Sequence, residues 1–252
     1  MLKMMKYLLH TLSCLLLFAA GTCLAQTPGH TLRSGGIDRT YRLHLPEGLP
    51  DGAPLVIVLH GYGGPVSYTH LRAHETVLDG RGKTCWNVGY PFQADMAVDD
   101  VRFLSELIRH LQKKHGLSRR NVFCTGMSNG GDMCYLLASR CPETYAALGP
   151  VAGFMSVEIL RSDRNPHPIP LFEIHGTEDR TTRWEGDLGN EGGWGAYVSV
   201  PTAVGYWAAK NKCLAERVDT LPSRPATRRA RTETRSGSTR PSAESTPGKR
   251  RA

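Results

Sequence analysis

The chain has 252 residues, 40% of them apolar and 21% charged, long enough for one α/β domain with a well-buried core. A net charge of +8 would suggest nucleic acid if it were spread over a fold. However, residues 221–252 hold nine lysines and arginines against two glutamates, a net +7 that leaves +1 for everything before them, so no nucleic-acid partner is expected.

Residues 1–25 read as a secretory signal peptide. Lys3 and Lys6 precede the apolar stretch Leu12 to Ala20, and Leu24-Ala25 offers a small residue for cleavage before Gln26. The apolar stretch is well short of the ~20 residues that span a bilayer, and no later segment is apolar enough, so no membrane span is expected and the product should be secreted or periplasmic. Of the seven cysteines, five follow the leader (Cys85, Cys124, Cys134, Cys141 and Cys213). An odd number in an oxidising compartment leaves one without a partner, and Cys124, in a strand, reads as a buried free thiol. No Cys-x-x-Cys spacing appears among the cysteines, so no metal site is expected.

Residues 26–220 carry the pattern of the domain. Thr40 to Leu45 alternates polar with apolar and predicts an early edge strand, and Leu55 to Leu59 is an unbroken apolar run that predicts a central parallel strand. After Asp99-Asp100, the spacing of Val101, Leu104, Ile108 and Leu111 predicts a helix packed by one face and stopped at Gly116. Strands over 121–125, 146–151 and 169–174 follow, with helices from Asn129 to about Arg140 and from Pro201 to Lys210. This alternation predicts a mostly parallel sheet with helices on both faces.

Two stretches depart from the pattern. Residues 66–79 are polar and without period where a crossover helix and a buried strand should fit, so they read as a disrupted joint that leaves the sheet one strand short near residues 65–80. Residues 221–252, built of Arg, Ser, Thr, Pro, Ala and Glu with Leu221 as their one large apolar residue, cannot bury a face and read as a disordered, frame-shifted terminus where the last elements of the domain should be.

The chemistry concentrates at Gly126-Met127-Ser128-Asn129-Gly130, where a β-rich run breaks through a Gly-x-Ser-x-Gly turn into a helix-forming run. Such a turn is tight enough that side chains around the serine would collide, and it pushes the hydroxyl out at the tip of the sheet as a nucleophile. Leu59 is followed by His60-Gly61-Tyr62-Gly63-Gly64, a loop able to bring a main-chain N–H to a developing oxyanion. The two donors are assigned to the N–H groups of Tyr62 and Asn129. Asp179, in the loop after 169–174, is the candidate acid. The glycine-rich loops that follow carry Trp184 and Trp194, candidates for stacking on a sugar or an aromatic acyl group; Trp207, on a helix, reads as core. The histidine that should come last is missing, since the 77 residues after His175 contain none, and without an imidazole a serine hydroxyl is a poor nucleophile.

Arg39 to Pro46, Pro54 to Gly64, Cys85-Trp86-Asn87, Asp99 to Leu104, Gly126 to Gly131, His175 to Asp179 and Trp207 to Cys213, in this order, resemble the secreted esterases grouped with polyhydroxybutyrate depolymerases and carbohydrate esterase family 1 feruloyl and acetylxylan esterases. The resemblance covers about residues 35–64 and 81–216. It implies an α/β-hydrolase fold, incomplete here, and ester hydrolysis without a cofactor by a serine carboxylic ester hydrolase. Ser128 and Asp179 match the nucleophile and acid positions. The implied partner is an ester-bearing polysaccharide or polyester, met by a monomer. As written the chain is expected to be inactive, and a non-catalytic ligand-binding homologue and a serine peptidase of prolyl-oligopeptidase type stay open beside the esterase reading.

Overall fold

A computed structural model describes residues 29–64, 72–74, 79 and 81–213. The leader, the tail 221–252 and most of 65–80 lie outside the described residues. The first two strands, β1 (Gly29–Ser34) and β2 (Ile37–Arg42), form a hairpin in which Ser34 pairs with Ile37. Its turn is Gly35-Gly36, both at positive φ (58° and 83°), the conformation a two-residue hairpin requires and glycine adopts without strain. Strand β2 was expected at the edge over 40–45; it starts earlier and lies inside the sheet, because β1 takes the edge.

The strands β3 (Leu55–Leu59), β5 (Val122–Met127) and β6 (Ala147–Val151) run parallel. Between β2 and β3 the structure places β4 (Arg72–His74), antiparallel to β2 and parallel to β3, giving the order β1-β2-β4-β3-β5-β6. The expected gap is therefore corrected to a vestigial strand of three residues, which meets β3 at the single pair Leu59–Ala73. Backbone hydrogen bonding joins it to both neighbours and needs no apolar run, so its sequence gives no strand signal. Residues 169–174 do lie parallel to β6, with Phe172 N–H donating to Leu148 O (2.9 Å) and Ala152 N–H donating to Ile174 O (2.8 Å). They pair at two isolated bridges rather than as a full strand, since Pro150 and Pro170 each remove a donor from the ladder.

Among the described residues four α-helices accompany the sheet: α1 (Asp100–His115), α2 (Asn129–Arg140), α3 (Val157–Ser162) and α4 (Val200–Lys210). Helix α1 begins where the Asp99 side chain accepts from Arg102 N–H (2.8 Å) and ends at Gly116, φ 64°. It buries Phe103, Leu104, Leu107, Ile108 and Leu111, and Trp207 on α4 joins the same core, as expected of it. A buried ion pair ties the hairpin to this helix. The Arg39 guanidinium donates to Asp100 Oδ1 and lies 4.2 Å over the Phe103 ring, while Asp100 Oδ2 accepts Asn87 N–H at 2.6 Å.

Among the described residues the expected helical cover of the two faces is incomplete. Leu55, Ile57, Leu59, Val122, Cys124 and Leu148 point into the core, but the alternate positions Val56, Phe123 and Met127, continued by Phe172 and Ile174, are 36–58% exposed. A parallel sheet is ordinarily buried on both sides, and its strands are correspondingly apolar throughout. Here the apolar sequence is present on both sides while, among the described residues, one side is left exposed. Among the described residues no helix is long and apolar enough to cross a membrane.

Candidate active site

Ser128 sits between β5 and α2 with φ 55° and ψ −122°, a conformation that non-glycine residues rarely adopt. The surroundings hold it there: Ser128 N–H donates to Val151 O (2.8 Å), and Ser128 O accepts from Gly131 N–H (2.7 Å) and Asp132 N–H (2.9 Å). The glycines of the motif are required by close approach. A Cβ on Gly126 would lie 2.4 Å from Gly130 O, and one on Gly130 would lie 2.6 Å from Leu59 O and 2.7 Å from His60 O. Both obstacles are backbone and cannot swing away. Gly130→Ala is therefore expected to destabilise the fold by about 3 kcal/mol, whereas Gly205→Ala on α4, where nothing lies within 4 Å, should stabilise it by about 0.5–1 kcal/mol. Urea unfolding of the two variants checks this; equal midpoints would remove the close-approach argument.

The loop after β3 runs along the elbow: a Cβ on Gly61 would come within 3.6 Å of Ser128 Cβ. Among the described residues no acceptor meets the N–H of Tyr62. The N–H of Asn129 heads α2, where no intrahelical acceptor exists. The Tyr62 hydroxyl donates to Asp79 Oδ2 (2.6 Å), while Asp79 Oδ1 accepts from the N–H groups of Arg81 and Lys83, both at 2.9 Å. Burial and the Asp79 carboxylate push the Tyr62 hydroxyl up to about 12, so it stays protonated and the loop stays anchored.

Behind Asn129 lies a buried network that the sequence reading did not single out. The Asn129 side chain accepts Trp86 N–H (2.7 Å) and donates to Trp86 O and to the Tyr90 hydroxyl, both at 3.1 Å. Tyr90 in turn donates to Asp132, which also accepts Phe154 N–H at 2.7 Å. Burial pushes the Asp132 carboxyl up to about 7, against the Tyr90 and Phe154 donors that favour its charged form. Because the folded value lies above an unfolded value of about 4, the stability linked to this group is full below pH ~4 and is lost as pH rises towards ~7. Asp132→Asn should flatten the fall in thermal midpoint between those two pH values. An unchanged slope would show that another group carries it.

Asp179 lies in the loop beyond residue 174, its Oδ1 accepting from Thr181 N–H (2.8 Å) and Thr182 N–H (2.9 Å) and its Oδ2 3.9 Å from His175 Nε2. His175 is buried and committed on both sides, to Glu173 Oε1 at 3.1 Å and Thr182 O at 2.8 Å. Burial pulls its imidazole down, but Glu173 and the Thr182 carbonyl outweigh this and hold it above its ordinary value. Glu173 also accepts the Tyr135 hydroxyl (2.6 Å). The His60 ring is buried, with Nδ1 2.8 Å from Gly61 O. Among the described residues nothing hydrogen-bonds the Ser128 hydroxyl, and no group of three or more His, Cys, Asp or Glu could hold a metal ion.

The two candidate tryptophans part company. Trp194 packs edge-on with Tyr62, Tyr90 and Phe92 at 5.1–5.7 Å, beside the Arg81 guanidinium stacked 3.8 Å over Phe92. Trp184 lies near the His175 ring, 6.2 Å between centroids. Trp194 thus adjoins the Tyr62 loop and Trp184 the Asp179 loop. Arg81 and Phe92 carried no sequence signal, being isolated residues in irregular chain.

A strained serine at a strand-to-helix turn, on a parallel sheet with helices packed against it, defines the α/β-hydrolase fold, here incomplete. No family model matches the chain. It is similar to a bifunctional acetylxylan esterase/xylanase of Neocallimastix patriciarum, 24% identical over 165 residues that make up 61% of this chain and 23% of that protein. A putative esterase of Nocardia uniformis subsp. tsuyamanensis is 29% identical over 180 residues, 64% of this chain and 51% of that one. Poly(3-hydroxyalkanoate) depolymerase C of Paucimonas lemoignei is 23% identical over 124 residues, 44% of this chain and 30% of that one. The chain spans about a quarter to a half of the length of these curated relatives, which are carboxylic ester hydrolases by name.

Proposed function

We propose that the chain carries the nucleophile half of a secreted serine carboxylic ester hydrolase acting on acetyl or feruloyl esters of plant cell-wall polysaccharide, with polyhydroxyalkanoate-like polyester as the second substrate class. The observation that carries the reading is Ser128 at φ 55°, flanked by the Gly61 loop. In this reading Ser128 attacks the ester carbonyl and the N–H groups of Tyr62 and Asn129 receive the oxyanion. Asp179 is the acid that orients a base, and Trp184 and Trp194 contact the substrate beyond the scissile bond. The acetylxylan esterase named among the relatives supports the polysaccharide substrate and the depolymerase supports the polyester. The leader-like residues 1–25 support secretion.

A second reading, a non-catalytic relative that retains the site without turnover, is favoured by the histidines. Both ring nitrogens of His175 are already engaged, by Glu173 and by the Thr182 carbonyl. One experiment separates the readings. The C-terminal segment of an acetylxylan esterase, histidine included, is grafted after Lys210, and hydrolysis of acetylated xylan is measured. Ser128-dependent acetate release supports the esterase assignment, and a folded graft that binds xylan without releasing acetate supports the second reading.

A further inference from the structure

His175 opens the loop that carries Asp179 and Trp184, and its two ring nitrogens both meet acceptors. Thr182 O, 2.8 Å from Nε2, is a carbonyl and can only accept, so Nε2 carries a proton. On the other side Nδ1 lies 3.1 Å from Glu173 Oε1, while Glu173 Oε2 already accepts the Tyr135 hydroxyl at 2.6 Å. A carboxylate that accepts at both oxygens has no proton to offer, so Nδ1 carries one as well. A ring protonated at both nitrogens is an imidazolium.

The surroundings fit a cation. His175 and Glu173 are both buried, and Asp179 Oδ2 lies 3.9 Å from Nε2. Tyr135 and Asp132 face the pair from α2, and the Trp184 ring adjoins it from the loop. Burial pulls the imidazole down, and Glu173, the Thr182 carbonyl and Asp179 together outweigh it. We infer that His175 is a positioning residue for Asp179: as a buried cation it staples residues 176–184 to Glu173, and loss of its proton releases them. That Asp179 is the acid of a hydrolase rests on the function proposed above; the staple does not.

The release follows from counting protons. A neutral imidazole has one N–H for two acceptors, so deprotonation turns a lone pair towards either Glu173 or the Thr182 carbonyl, and a buried acceptor facing an acceptor is costly. Glu173 is held by Tyr135 and by its neighbours Phe172 and Ile174, whose N–H groups donate to Leu148 O and Pro150 O. The Thr182 side is the one free to yield. Thr182 N–H also donates to Asp179 Oδ1 at 2.9 Å, so Asp179 moves with it. Because the folded imidazole is held above its ordinary ~6.5, the staple is closed below that pH and opens as pH rises through the folded value.

Nitrogen-15 NMR of the histidine rings in the full chain tests the staple. One histidine should keep both ring nitrogens protonated above pH ~6.5. Its signals should vanish in His175→Gln or, should that variant not fold, move in Glu173→Gln. As it loses its proton, the Thr181 and Thr182 amides, both donors to Asp179 Oδ1, should lose at least ~10-fold of their protection from hydrogen exchange. Glu173→Gln should shift that loss to lower pH. Asp132, pushed up to about 7, titrates nearby, so Asp132→Asn should leave the loss in place. A bare Nδ1 on His175 in the folded chain, amide protection that does not follow its titration, or a transition that disappears in Asp132→Asn overturns the inference. No step involves hydrolysis, so the esterase reading stands or falls separately.

Discussion

Assayed with 4-nitrophenyl acetate, the purified chain is expected to release nitrophenol no faster than its Ser128→Ala variant, within about threefold, and about 10⁴- to 10⁶-fold more slowly than the same chain fitted with a histidine-bearing C-terminal segment. The argument is one of protons. Serine attack on an ester needs a base within hydrogen-bond reach to take the hydroxyl proton as the tetrahedral intermediate forms. Among the described residues nothing hydrogen-bonds Ser128, and His175 is spent on Glu173 and Thr182. An oxyanion hole alone leaves about 10³- to 10⁴-fold over water in well-studied serine hydrolases, and an open cavity beside the elbow keeps less of that. Added imidazole should raise the rate of the unaltered chain and not that of Ser128→Ala, since the small base can enter where the side chain is missing. Turnover that falls 100-fold or more on Ser128→Ala without imidazole would identify an endogenous base, with His60 and His175 the first to test by substitution.

The elements that could be read from the sequence are those whose signal is local. The apolar runs of β3 and β5, the helical spacing of Val101, Leu104, Ile108 and Leu111, and the glycine spacing around Ser128 each follow from a constraint acting within a few residues. Strand β1, Gly29 to Ser34, is polar enough to escape notice because its place is set by the Gly35-Gly36 turn and by pairing to β2. Strand β4 is specified by neighbours rather than by its own residues. The uncovered face was invisible for a different reason. Val56 and Phe123 read as buried whether or not anything lies on them, since periodicity records what a strand was written for and not what is present to cover it. At the site, Ser128 and the Tyr62 loop were legible, and the Asn129–Tyr90–Asp132 chain was not, because it joins residues 39 and 42 positions apart through side chains that each look ordinary alone.

Replacing Asp100 by alanine is expected to cost about 3–5 kcal/mol of stability. Arg39 and Asp100 are both at most 2% exposed, and their pairing spans 61 positions of sequence to fasten the β1–β2 hairpin on to α1. Removing the carboxylate takes the Asp100 partner from a buried guanidinium, whose charge cannot be neutralised because arginine does not give up its proton. It also strips the acceptor from Asn87 N–H, at the start of the stretch that positions Tyr90 beside Asn129. The double variant Arg39→Met/Asp100→Leu should recover most of the loss, because exchanging a buried ion pair for apolar groups of similar volume is close to neutral. Urea midpoints of the single and double variants provide the check. A single variant within 1 kcal/mol of the parent would mean that the hairpin detaches and lets Arg39 reach water, and the amide exchange rates of β1 and β2 would then rise together.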